Sequence, residues 1–309
     1  MRFLFICNAN KKVGLGHLSR CRIIAKSLQK SINKCEIYFS GDIELNFLDS
    51  LSTDNLRFVS SPNYEDYDCV ILDSYDKDDF YKVDNLNLKK IAIDDRALET
   101  FVNWDLVLNF RVNPTKLNYE SKEICVGTSF FPFDERLILL RLDSKPQKEI
   151  KNLFFYFGET KKITLNTKSL ELIEEFSNKY NFFISANINN QPQNFETINR
   201  SNFFNLFSKS DVIISGGGLT KYEAAFTKKI NLTFSINELQ KQDTEILSNL
   251  FLTKDMGYFK DINNSLIESI NMLENLKDNE IELFYKNSSK YFYTNSLANM
   301  TQKISSIVL

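Results

Sequence analysis

The sequence predicts an α/β protein of two similar units, each built on a parallel sheet, and three observations predict it. Strand-like apolar runs alternate with amphipathic helix-like runs. The alternation halts near residue 142 and restarts at residue 152. Each half carries one glycine-rich loop set between a strand and a helix. Such alternation gives parallel strands covered by helices, and 309 residues exceed what one ordinary core organises. The predicted units are residues 1–143 and 152–309, joined by a polar, proline-bearing linker over 144–151.

In the first unit, Arg2–Cys7 reads as a buried strand, and Leu18, Cys21, Ile24, Ala25 and Leu28 recur at helical spacing. Cys35–Ser40 is the next strand, Leu45–Leu51 a short helix and Leu56–Val59 a small strand. Tyr67–Leu72 is a strand ending in Asp73-Ser74-Tyr75, Asp78–Leu86 is helical, and Lys90–Ile93 is a strand ending in Asp94-Asp95. Trp104–Phe110 is a further strand, followed by Asn113-Pro114. In the second unit the strands are Asn152–Phe157, Phe182–Ser185, Asp211–Ser215 and Asn231–Ser235. The helices are Thr167–Tyr180, Phe203–Ser208, Leu219–Phe226, Glu238–Leu250 and Leu266–Leu276, with interrupted helix from Glu280 to Leu309.

In parallel sheets the ligand groove lies beyond the carboxyl ends of the strands. Gly14–His17, Asp73–Tyr75, Asp94-Asp95 and Asn109–Asn113 all fall at such ends. His17, the one histidine of the chain, follows the Gly14-Leu15-Gly16 turn at the start of a helix. Unpaired amides and the helix dipole favour an anion there. Histidine's ordinary pKa near ~6.5 suits a general base. Its other reading is a buried structural histidine packed on the first helix.

The second loop is Ser215-Gly216-Gly217-Gly218-Leu219-Thr220-Lys221-Tyr222-Glu223. The two loops hold five of the nine glycines. Glycine lets the backbone reach positive φ and lets a ligand approach the amides. Thr220 reads as the helix cap and as a donor to a phosphate. Glu223 reads either as the closing member of a capping box or as a carboxylate accepting from ribose hydroxyls. The loop lacks the Gly-Lys-Ser/Thr ending of a Walker A motif.

Composition excludes several classes. Hydrophobic residues make up 43% and charged residues 25%, and the net charge is −2 with no basic block. Nucleic acid is therefore not an expected partner. No apolar run approaches the ~18 residues of a membrane span, and no signal peptide is read at the start. Cys7, Cys21, Cys35, Cys69 and Cys125 show no C-x-x-C spacing, which argues against structural zinc and for reduced thiols in the cytoplasm.

In order, Gly14-x-Gly16-His17-x-x-Arg20, Asp73-x-Tyr75, Asp94-Asp95, Asn113-Pro114, Gly127 and Ser215-Gly-Gly-Gly-x-Thr220-x-x-Glu223 resemble the UDP-sugar hydrolases of pseudaminic acid synthesis. Those group with spore-coat-polysaccharide-type proteins and are similar, at greater distance, to the N-acetylglucosaminyl transferase of peptidoglycan synthesis. The resemblance covers roughly residues 2–255. It implies a GT-B architecture, two Rossmann-like domains facing across a cleft that holds the ligand. It implies that His17 assists attack of water on the anomeric carbon of an amino-deoxysugar donor, with Tyr75 positioning the water or the histidine, and that UDP leaves with inversion. Gly14, Gly16, Arg20, Asp94 and Asn113 are then substrate-binding. Gly217, Gly218, Leu219 and Thr220 offer donors to the diphosphate, Glu223 holds the ribose, and Gln242 falls where related proteins carry a donor-contacting glutamine. The expected partner is a nucleotide-sugar, foremost a UDP-sugar, with no cofactor and no metal. The alternative is an inverting GT-B glycosyltransferase whose histidine deprotonates an acceptor hydroxyl. The family's Gly-Gly-x-Asp loop is matched here by Phe157-Gly158-Glu159-Thr160-Lys161.

Overall fold

The computed structural model describes residues 1–11, 13–97, 99–114, 117–145, 149–158, 163–187 and 194–309. Glu159, Thr160 and Lys161 of the altered loop, and residues 146–148 of the expected linker, lie outside the described residues.

The chain divides into two compact units, Met1–Asp134 with Phe292–Leu309, and Glu135–Tyr291. In the first, the elements are β1 (Arg2–Cys7), α1 (Gly16–Ser31), β2 (Glu36–Ser40), α2 (Leu45–Thr53), β3 (Arg57–Phe58), β4 (Cys69–Asp73), α3 (Lys77–Asp84), β5 (Lys89–Ile93), β6 (Leu106–Asn109) and β7 (Ile124–Val126). They form a seven-stranded, wholly parallel sheet in the order β3-β2-β1-β4-β5-β6-β7. β1 and β4 are apolar over nearly their whole length because both faces of the sheet are covered: Phe3, Leu4, Phe5, Val70 and Ile71 are fully buried.

In the second unit, α4 (Glu135–Asp143) is followed by β8 (Asn152–Tyr156), β9 (Ile163–Thr164), α5 (Thr167–Glu175), β10 (Asn181–Ile184), β11 (Ala186–Asn187), β12 (Phe195–Thr197) and α6 (Phe203–Lys209). Then come β13 (Val212–Gly216), α7 (Leu219–Phe226), β14 (Ile230–Ser235), α8 (Glu238–Asn249), β15 (Lys254–Tyr258), α9 (Ile262–Glu274) and α10 (Asp278–Tyr291). Six strands make a parallel sheet in the order β12-β10-β8-β13-β14-β15, and β9 pairs with β11. Leu153, Phe155, Phe182, Val212, Ile214 and Leu232 line its core.

The observed units differ from the predicted 1–143 and 152–309 at both ends of the second. Part of the stretch taken as the end of the first unit is α4, which belongs to the second. Its Arg141 is buried and donates to the Phe226 carbonyl at the end of α7 and to Ser288 of α10. The last helix, α11 (Ser296–Val308), belongs to the first unit. Thr301 of α11 meets Ser27 of α1 at 2.7 Å, and Asn299 donates to the Ser129 carbonyl at 3.1 Å. No helix among the described residues is long and apolar enough to cross a membrane.

Candidate functional site

The first sheet reverses its strand order at β1, with β2 and β3 on one side and β4 to β7 on the other. Open parallel sheets place ligands beyond the strand ends at such a reversal. The β1–α1 and β4–α3 connections meet there. Gly14 turns the first of them at φ +74, and its amide donates to the Asn10 carbonyl at 2.8 Å. A Cβ at Gly14 would touch nothing, so it is the backbone angle that requires glycine. His17 is the second residue of α1 and is only 4% exposed.

Five residues form a closed circuit. His17 Nδ1 lies 2.9 Å from the Asp73 carbonyl oxygen. The Asp73 carboxylate receives Arg20 Nε at 2.6 Å and also Arg20 Nη2. Arg20 Nη1 donates to Asp95 Oδ2 at 2.9 Å, and Tyr75 Oη donates to Asp95 Oδ1 at 2.7 Å. Tyr75 returns to His17, ring against ring at 4.4 Å and 86°. A carbonyl oxygen only accepts, so Nδ1 carries the imidazole hydrogen and Nε2 keeps its lone pair. Among the described residues Nε2 has no hydrogen-bond partner.

Charge is distributed to match. Burial makes an imidazolium costly, and this outweighs the pull of Asp73, so His17's pKa lies below its ordinary 6.5. Burial also opposes the Arg20 cation, but Asp73 and Asp95 overcome it and hold the guanidinium charged. Burial opposes the Asp95 anion, yet Arg20 and Arg111 hold its carboxyl well below the usual carboxylate range. Burial, then Asp95, push the Tyr75 phenol up, so it stays protonated. The circuit thus presents a neutral, oriented imidazole over an internally balanced ion network. The reading of His17 as a buried structural residue is half met: it is buried, with its second nitrogen left as an acceptor.

The remaining predicted residues of the first unit divide. Asp94 is buried and accepts the Arg96 amide at 2.9 Å, while Asn113 is exposed in the left-handed region at φ +46. Sequence reasoning did not single out Asp95's double bond or Arg96. The Arg96 guanidinium stacks 3.4 Å over the Tyr75 ring.

In the second unit, Gly216 ends β13, and Gly217 and Gly218 join it to α7, beside β8 where that sheet reverses its order. The expectation of positive φ there is not met, since none of the three glycines has it. Space decides instead at Gly217, where a Cβ would stand 2.7 Å from Gln240 Cβ. At Gly218 a Cβ would meet nothing within 4 Å. Thr220 is not the helix cap. Gly218 occupies that position with no side-chain hydrogen bond, leaving the first amides of α7 without one. Glu223 is five residues beyond Gly218, too far along the helix to close a capping box. Gln242 is exposed and faces Glu238 at 3.4 Å, whereas Gln240, which the sequence did not single out, packs on Gly217 and accepts the Ile236 amide at 2.9 Å. Behind the loop, buried Lys221 pairs with Asp243 at 2.7 Å and Tyr222 donates to Asp243 at 2.7 Å, which ties α7 to α8.

This is the GT-B fold. The chain superposes on the MurG structure of Acinetobacter baumannii with a TM-score of 0.63 at 13% identity, covering 99% of each chain. With the UDP-GlcNAc 2-epimerase of Neisseria meningitidis, solved bound to UDP-GlcNAc, the TM-score is 0.61 at 16% identity over 100% of this chain and 99% of that one. In sequence it is 24% identical over 276 residues to the pseudaminic acid cytidylyltransferase and UDP-2,4-diacetamido-2,4,6-trideoxy-β-L-altropyranose hydrolase of Helicobacter pylori, covering 85% of this chain and 50% of that protein. It is 22% identical over 281 residues to an uncharacterised protein of Methanocaldococcus jannaschii, covering 78% of this chain and 57% of that one. The chain thus spans about half the length of these curated relatives. No family model matches it.

Proposed function

We propose that the chain hydrolyses a nucleotide-sugar, with His17 as general base. The observation that carries this reading is the 2.9 Å bond from Nδ1 to the Asp73 carbonyl, which leaves Nε2 as the acceptor on a buried, neutral imidazole. A base of this kind takes a proton from water as its oxygen bonds to the anomeric carbon. The bond from that carbon to the diphosphate breaks, the electron pair leaves with UDP, and the centre inverts. Tyr75 holds the imidazole in place. Gly14, Gly16, Arg20, Asp94 and Asn113 serve the sugar's side, Arg20 through the circuit rather than by contact. In the second unit the amides of Gly217 and Gly218, with those of Leu219 and Thr220 at the start of α7, take up the charge of the leaving diphosphate. Glu223 accepts from the ribose, and Gln242 or Gln240 completes the donor contacts. The fold, shared with enzymes solved bound to nucleotides, and the H. pylori relative support the substrate class.

The test is incubation with UDP-2,4-diacetamido-2,4,6-trideoxy-β-L-altropyranose in H₂¹⁸O. One ¹⁸O is expected in the free sugar and none in UDP. Label in UDP would mean attack at phosphorus and overturn the mechanism. Release of sugar only after an acceptor alcohol is added would make the chain a glycosyltransferase using the same histidine.

A further inference from the structure

We propose that Asp95 is a positioning residue for His17, acting through Tyr75 and Arg20; this rests on the reading of His17 as the base. Asp95 is buried, and both its carboxylate oxygens are committed, Oδ1 to the Tyr75 hydroxyl at 2.7 Å and Oδ2 to Arg20 at 2.9 Å. Tyr75 has one hydroxyl hydrogen and gives it to Asp95, so its phenol is not a donor to a ligand. What Tyr75 offers His17 is the pressure of its ring, 4.4 Å away and nearly perpendicular. That ring is pinned at its hydroxyl by Asp95 and stacked by the Arg96 guanidinium. The ring that packs edge-on against the imidazole is therefore held by a carboxylate that bonds neither to the imidazole nor to any reacting atom.

Asp95 has a second, electrostatic effect. Facing His17 are Asp73 and Tyr75 from the end of β4, Asp95 from the end of β5, and Arg20 on its own helix. Arg111 and Arg96 act at one remove, through Asp95 and Tyr75. The negative charge of Asp95 favours the imidazolium, while burial disfavours it. Removing that charge alone moves the titration of His17 down in pH. Loosening the packing around His17 moves it up, towards the ordinary 6.5, because water then solvates the cation. The two roles give shifts of opposite sign.

Because His17 is the one histidine of the chain, its Cε1–H resonance is a single NMR probe of the free enzyme. In Asp95→Ala, which removes the pin as well as the charge, the midpoint of that titration is expected at higher pH than in the wild type, because the freed Tyr75 ring lets water reach the imidazole. A midpoint lowered or unmoved leaves Asp95 only its charge and overturns the proposal. Should Asp95→Ala not fold, Tyr75→Phe cuts the same link while keeping the ring. Its kcat on UDP-2,4-diacetamido-2,4,6-trideoxy-β-L-altropyranose is expected to fall by about tenfold or more with KM unchanged, as for a reacting group held slightly out of place. A kcat within about twofold of wild type overturns it. If the wild type does not hydrolyse this compound, the hydrolase reading fails on its own, and the resonance still decides the role of Asp95.

Discussion

Asp73 holds His17 and Arg20 with different parts of itself, the carbonyl oxygen taking the imidazole Nδ1–H at 2.9 Å and the carboxylate taking Arg20 Nε at 2.6 Å. Orientation of the imidazole is thereby a property of the β4 backbone, and stability of the ion network a property of the side chain.

The two parts separate in Asp73→Asn. The imidazole bond should survive, because the backbone is unchanged. The buried Arg20 loses most of its compensation, and breaking a buried pair in this way costs about 3–5 kcal/mol. Denaturant unfolding should show that loss, while the His17 titration of the folded fraction moves to lower pH, because the Asp73 charge that favours the imidazolium is gone.

His17→Asn should keep the fold and lower turnover by about 10²–10⁴, the usual worth of a positioned base. The wild-type rate should be full above the pKa of His17 and fall as pH drops through it. That limb lies below pH 6.5, because burial depresses the imidazole. Its disappearance in His17→Asn identifies the group, and a variant turning over within about twofold of wild type would remove the base from the mechanism.

The glycines of the second loop predict a contrast. Gly217→Val pushes its side chain into Gln240 Cβ and should disturb the start of α8, lowering stability and UDP affinity together. Gly218→Ala meets no protein atom, and its φ of −83 suits any residue. It should leave the melting temperature unchanged within error and weaken UDP alone, by calorimetric titration. Unchanged UDP affinity in Gly218→Ala would place the diphosphate elsewhere.

Glu223 can be tested by the ligand. Glu223→Ala should weaken UDP more than 2′-deoxy-UDP if the carboxylate accepts from the ribose hydroxyls. Equal losses for the two nucleotides would return Glu223 to a structural role in α7.

How much of this was legible depends on what each signal requires. β1 and α7 begin and end where the sequence put them, because one is an apolar run closed by polar residues and the other follows a glycine loop. β7 and β12 were missed; each is a three-residue strand at a sheet edge with too few buried positions to make a pattern. β15 was missed because Lys254–Tyr258 is a partly exposed edge strand interrupted by Gly257. The polar residues after Leu142 suggested a linker and hid α4, whose Leu139 and Leu142 remain exposed. His17, Arg20 and Tyr75 were visible from spacing and resemblance. The link from Asp95 to Tyr75 was not, because it depends on β4 and β5 lying side by side. Choosing between Gln240 and Gln242 likewise needs the first turn of α8 set against Gly217.

The return of α11 to the first unit means that this unit is interrupted in sequence by the whole of the second. Thr301 must find Ser27 across 274 positions. On a ribosome, where domains form in the order their residues emerge, the second unit has all its strands and helices before the first has its last helix. The half that is begun first, and that carries His17, is the half completed last.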